Sequence, residues 1–203
     1  MANTSRVNGF RPVKYMNGKP YMGDANIYEI AVGDAAALAV GDLTILSDQA
    51  ATDAYPAAER FGTSGAQTAG FGVGVVVGFV VDPLNLNTPQ YRVASTKRFA
   101  LIADATDLVM EVEEDSVGGS IALASIGLNS GFMADASAQL AVTGASGMML
   151  DSSSVAVTAT LPLRILGQSR KVDNEQGTAG RWLVSWNLHQ YAVTGVATGS
   201  LGV

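Results

Sequence analysis

Apolar residues in this chain recur mostly at every second position and in short runs, the period of β-strands rather than of helices. The densest run is Gly70-Phe71-Gly72-Val73-Gly74-Val75-Val76-Val77-Gly78-Phe79-Val80-Val81. It is uncharged and rich in β-branched side chains, as expected of a central strand buried on both faces. Each glycine inside a strand costs about 0.5–1 kcal/mol relative to alanine, so four of them cost roughly 2–4. A chain tolerates that where it bends sharply, closes a barrel or lets another backbone come near. Residues 70–81 therefore predict a tightly curved antiparallel sheet built around this strand.

The same pattern predicts strands at 27–32, ending at Gly33-Asp34, and at 43–46, following Gly41-Asp42. Between them Asp34 caps a single helical turn or the chain simply connects. Residues 47–69 read as a small-residue loop anchored by Tyr55 and Phe61, and 82–90 as a Pro/Asn turn region. Residues 97–103 and 108–112, joined by Asp104-Ala105-Thr106-Asp107, predict a hairpin with Leu108, Met110 and Val112 on one face and Glu111 and Glu113 on the other. Short strands are expected around 121–123 and 126–128, then a loop at 143–154 with an exposed Met148-Met149 pair. Residues 155–166 alternate clearly, although Pro162 places their end at an edge or a bulge. After a charged turn at 168–180, residues 181–191 predict a last strand with Trp182, Val184, Trp186 and Leu188 facing the core. Roughly eight to ten short strands and almost no helix make this an all-β chain, a compact antiparallel β-barrel or sandwich over residues 24–191.

The two ends lack either period. Residues 1–23 are punctuated by Gly9, Pro12, Gly18, Pro20 and Gly23, with Phe10, Tyr15, Met16, Tyr21 and Met22 set between positive charges. Such a segment predicts an extended arm lying along a partner. Residues 192–203 carry no charge and predict a second extended tail.

Charge sharpens this picture. Net charge is −6, but residues 1–23 hold Arg6, Arg11, Lys14 and Lys19 and no acid, leaving eight basic against eighteen acidic residues on the remainder. A basic arm on an acidic body means that the arm goes somewhere. Four cations supply only a modest phosphate term and the acidic body repels a polyanion, so nucleic acid is not the expected partner. Charged residues make up 15% of the chain, against a usual share of about 25%. A surface so poor in charge predicts burial against other chains, and hence a homo-trimer or homo-dimer. Two uncharged stretches, 61–81 and 116–134, approach membrane length but are interrupted by glycines, so no membrane is expected.

Candidate chemistry is sparse. The chain has no cysteine, which removes thiolate nucleophiles, disulfides and Cys-ligated metals. His189 is the single histidine, set on the face opposite the tryptophans, and is expected to be a structural or interface hydrogen-bonder. Glu111, Glu113, Glu114 and Asp115 lack the spacing of an EF-hand and read as a solvated hairpin rim. The glycines at 70, 72, 74 and 78 imitate a nucleotide loop, but the third glycine of that fingerprint falls on valine and no helix follows. The expectation is a protein that is not an enzyme and needs no cofactor or metal.

Certain phrases together resemble a known class. Ser5-Arg6-Val7-Asn8-Gly9-Phe10-Arg11-Pro12-Val13 leads into Ala39-Val40-Gly41-Asp42-Leu43 and the Gly-Val-Val-Val-Gly-Phe strand. Tyr91-Arg92-Val93-Ala94-Ser95-Thr96, the Asp151-Ser-Ser-Ser segment and Trp182…Asn187-Leu188-His189-Gln190-Tyr191 follow. Spread over nearly the whole chain, they resemble the capsid decoration, or cement, proteins of tailed bacteriophages. The resemblance implies a β-tulip-like body, made in the host bacterial cytoplasm and carried on the capsid exterior of the virion. Its partners would be the major capsid protein, whose neighbouring subunits it bridges, and copies of itself. Another virion component, such as a head fibre base or minor tail protein, is the alternative, followed by a sugar- or ligand-binding β-barrel module. Charge and anchor arguments select Arg6, Phe10, Arg11, Lys14, Tyr15, Lys19 and Tyr21 as the residues that meet the capsid.

Overall fold

The computed structural model describes residues 3–49, 51–134 and 144–192. In chain order the strands are β1 (Arg11–Tyr15), β2 (Asn26–Ile30), β3 (Leu43–Leu46), β4 (Ala58–Arg60), β5 (Ala66–Gln67), β6 (Gly74–Phe79) and β7 (Arg98–Ala103). They continue as β8 (Leu108–Glu113), β9 (Asn129–Ser130), β10 (Phe132–Met133), β11 (Met149–Leu150), β12 (Leu163–Gln168) and β13 (Arg181–Trp186). The one described helical element is a 3-10 turn, Leu123–Ser125, where short strands were expected.

Three antiparallel sheets result. The first runs β1-β8-β13-β12-β9, the second β2-β7-β6-β3-β4, and a small third β11-β10-β5. The fold is all-β and a sandwich, as the alternating pattern predicts. The barrel alternative is not realised: the second sheet curls until its edges meet at a single parallel bridge, Glu29 with Ala57, and stays open elsewhere.

The glycine-rich strand β6 is central in the second sheet, and its two faces serve different cores. Val75 packs with Leu108, Met110, Phe132, Leu163, Trp182 and Trp186 in the main core between the sheets. Val76 packs with Tyr28, Ile30, Leu38, Ala100 and Ile102 inside the curl of its own sheet. The glycines allow close approach. A Cβ on Gly72 would lie inside the Trp186 ring, and one on Gly74 would fall 2.5 Å from the Ala103 carbonyl oxygen. A bulge between Val76 and Gly78 bends the strand. Gly72 also receives the chain after β13: its N–H donates to the Leu188 carbonyl (3.3 Å) and its carbonyl accepts from Gln190 N–H (2.8 Å).

Several predicted elements differ in the structure, each for a local reason. Residues 97–103 and 108–112 form no hairpin with each other. β7 pairs with β2 and β6, whereas β8 pairs with β1 and β13, so Asp104–Asp107 carries the chain from one sheet to the other. The alternation at 155–161 makes no strand; β12 begins only at Leu163, beyond Pro162, and Val157 is exposed. Met148 is fully buried, its sulfur accepting from Leu43 N–H.

The largest correction concerns the arm. Residues 11–15 are the edge strand of the first sheet, paired with β8, and Phe10 (1% exposed) and Tyr15 (8%) belong to the main core. Residue 23 is thus no boundary between an arm and a body. Phe10 stacks edge-on against Phe132 with ring centroids 6.0 Å apart. Residues 193–203, most of the expected C-terminal tail, lie outside the described residues.

Candidate adhesive surfaces

The basic segment is a folded hairpin at the edge of the first sheet. β1 leads into a turn at Asn17-Gly18, with Gly18 at φ 87°, where Tyr15 N–H donates to the Lys19 carbonyl (2.8 Å). The returning leg is held by Tyr21 N–H to the Val13 carbonyl (3.0 Å) and by a Lys14–Pro20 bridge. The bulge between Pro12 and Lys14 then divides the expected contact residues, placing Tyr15 on the Leu108 and Met110 face of the sheet and Arg11 and Lys14 on the other. Tyr15 turns inward, and its hydroxyl donates to Asp24 Oδ2 at 2.8 Å; burial, then Asp24, pushes the phenol up to about 12. Tyr21 is half-buried beside it, with ring centroids 6.3 Å apart.

Arg11, Lys14 and Lys19 turn outward into solvent. None of the three forms an ion pair among the described residues, and Lys19 only overlies the Tyr15 ring at 5.7 Å. Arg6 is also exposed, but it is engaged, with Nη1 3.7 Å from Asp173 Oδ2. The apolar side chains this hairpin offers to solvent are Val13, Met16 and Met22, not the aromatics. Of the seven expected contact residues, three cations are thus exposed with no ion pair among the described residues, while Phe10 and Tyr15 are corrected to core positions.

The carboxylate row on β8 and just beyond its end is the second correction. Glu111, Glu113 and Glu114 are buried instead of forming a solvated rim, and each fastens a loop. Glu111 accepts from Ser169 Oγ and Lys171 Nζ (2.5 and 2.6 Å). Burial pushes its carboxyl up, but these two partners outweigh it and the net shift is downward. Glu113 accepts from Ser5 Oγ and Arg6 N–H (2.6 and 2.7 Å), tying residues 5–6 to the sheet. Glu114 accepts from Ile121 N–H (2.8 Å) and Trp182 Nε1 (3.1 Å), and burial raises it. Among the described residues no three acidic or histidine side chains converge as metal ligands would. His189 is buried, its Nδ1 accepting from Tyr191 N–H (3.1 Å), and burial lowers its pKa. It does not lie opposite the tryptophans as expected. β13 ends at Trp186, and the turn that follows brings the imidazole edge-on to that indole, 5.7 Å between centroids.

A second kind of surface escaped the sequence reading. The loop 80–93 carries Val81, Leu84, Leu86 and Val93 in solvent, with Leu84 96% and Leu86 78% exposed. The signal was present: leucines alternating with asparagines between Pro83 and Pro89, in a stretch read as turn alone. Beside this loop lies a recess of about 640 Å³. A further apolar group, Leu123, Ile126 and Val157, is exposed next to β9, which Asn129 joins to Ala156. It sits at the opposite edge of the first sheet from the basic hairpin, four strand spacings or roughly 19 Å away. Searches against known protein families, characterised proteins and solved structures find no match for this chain.

Proposed function

We propose that this chain is a structural virion protein that decorates a tailed-phage capsid from outside and bridges neighbouring major capsid subunits. The observation that carries this reading is the pairing of two unlike adhesive surfaces on one rigid sheet. A hairpin with three exposed cations that form no ion pair among the described residues lies at one edge, and exposed apolar side chains lie at the other. A protein that clamps two subunits needs two separated grips, and a sheet holds them at a fixed spacing. The acidic groups that offered candidate chemistry, Glu111, Glu113 and Glu114, are engaged in holding loops. The resemblance to cement proteins adds to this reading.

On this reading Arg11, Lys14 and Lys19 face acidic groups of the shell, and Val13, Met16 and Met22 supply apolar contact. Each exposed ion pair is worth no more than about 1 kcal/mol, so the three act together. The test is co-sedimentation with capsids that lack the protein, using wild type and the triple variant Arg11→Gln, Lys14→Glu, Lys19→Glu. The substituted side chains are in solvent, so the variant should stay folded by circular dichroism and should lose capsid binding. Equal binding by both proteins would end the assignment of the hairpin. No binding by the wild type would end the decoration reading.

A further inference from the structure

The recess beside loop 80–93 is walled by Val80, Val81, Pro83, Pro89, Val93 and Phe99, with a volume of about 640 Å³, the size of a ligand pocket. Its charged neighbours are already engaged. Lys97 is paired with Glu29 and Asp53, and Arg98 donates to the Pro89 and Tyr91 carbonyls while lying 4.8 Å over the Phe79 ring. What remains is chiefly apolar wall, and it calls for an aliphatic occupant.

The same loop carries such an occupant. Leu84 directly follows Pro83 of the wall, and Leu86 comes two residues later, both standing almost wholly in water. They are held there by consecutive turns. Leu84 N–H donates to Asp82 Oδ1 (2.9 Å), Asn85 N–H to the Asp82 carbonyl (3.2 Å), and Asn87 N–H to Asn85 Oδ1 (3.2 Å). A patch that presents a knob and a hole side by side is complementary to itself under a two-fold rotation.

Charge agrees with a self-partner. Around the recess Glu29, Asp53 and Asp82 are nearly balanced by Lys97 and Arg98, so two copies approach without strong repulsion although each carries −6 overall.

We infer that a second copy of this chain occupies the recess. In the resulting two-fold dimer Leu84 of each protomer enters the hollow of the other, and Leu86 packs alongside. The turns fix the loop before contact, which lowers the ordering cost of association. This inference concerns the free protein and stands whether or not the chain decorates a capsid.

Analytical ultracentrifugation of the full chain over a concentration series tests it. The wild type should be a dimer at tens of micromolar, and Leu84→Asp and Leu86→Asp should each be monomers. Truncating an interface anchor typically weakens binding about 30-fold, and a two-fold axis applies each substitution twice, so dissociation should rise on the order of 1,000-fold. Val172→Asp, at an equally exposed site away from the loop, should leave the dimer intact. The chain has no cysteine of its own, so mixing Leu84→Cys with Val93→Cys under mild oxidation should give the mixed disulfide dimer. A wild type that stays monomeric, an oligomer indifferent to both aspartate substitutions, a three-fold species, or no mixed disulfide would each overturn the inference.

Discussion

Arg92 is a guanidinium sealed from water, and every nitrogen of it is engaged. Nε donates to the Thr96 carbonyl (2.7 Å), Nη2 to the Ala31 and Asp34 carbonyls (2.8 and 2.7 Å), Nη1 to the Ala36 carbonyl, and Asp34 Oδ2 lies 3.2 Å away as counter-charge. One side chain thereby clasps residues 31–36 to 92–96, a fork that lysine cannot reproduce. Glu29 does comparable work on the next loop. Burial alone would push its carboxyl up, but bonds from Thr52 Oγ1, the N–H groups of Thr52 and Asp53, and Lys97 bring it down to about 2 from an ordinary 4.5. The unfolded chain therefore takes up this proton first as pH falls. The stabilisation is complete above about pH 4.5 and disappears towards pH 2. Glu29→Gln is expected to cost about 1–2 kcal/mol at neutral pH. Its thermal midpoint should converge on that of the wild type between those two pH values. A gap that stays constant through acid titration would show that the charge is not what matters.

At the scale of elements, β1 joins the sequence's most misleading segment to its core. Prolines and glycines at 9–23 imitate an extended arm, yet they bound a five-residue strand and a tight turn. Its apolar residues were visible; that Phe10 and Tyr15 point inward depends on pairing with β8, about a hundred residues away, which no local pattern encodes. The same holds for β7 and β8, whose spacing suits a hairpin but whose partners lie in different sheets. Where burial on both faces dominates, as in β6, composition and glycine content were enough to place the strand. The docking loop was legible as a turn but not as a surface, because exposure of Leu84 follows from turn bonds made by Asp82 and Asn85. Deleting residues 2–16 should accordingly unfold the protein and not merely weaken its binding. Phe10 alone is worth about 3–5 kcal/mol on truncation to alanine, a large part of a typical domain's stability. A truncated chain with an unchanged circular dichroism spectrum and melting temperature would show that β1 is dispensable.

For the whole molecule, the two proposed contacts answer salt in opposite directions. Engagement of an acidic shell by Arg11, Lys14 and Lys19 is screened within a Debye length. Capsid affinity should therefore fall by roughly tenfold between low salt and about 0.5 M. Dimerisation through Leu84 and Leu86 buries apolar surface, with its nearby charges already paired, and should hold or tighten over the same range. Measuring both on one preparation separates them. Parallel loss of dimer and capsid binding would mean that a single charged surface serves both contacts.

Pairing of β1 with β8, and of β8 with β13, puts the earliest and the latest described strands on either side of β8 in one sheet, and Asn3 reaches across to the carbonyls of Glu175 and Thr178. Synthesis on the ribosome is vectorial, so β8 emerges with one partner long since made and the other still to come. Until residues 181–186 leave the exit tunnel, its far edge and the inner face of the sheet are open to neighbouring nascent chains. Maturation is therefore a late event with slow, non-local closure. A translation pause before β13 prolongs the exposure of an aggregation-prone intermediate and a premature stop there releases it, so the yield of this protein in a cell should respond to chaperone supply more than to codon speed in its early half.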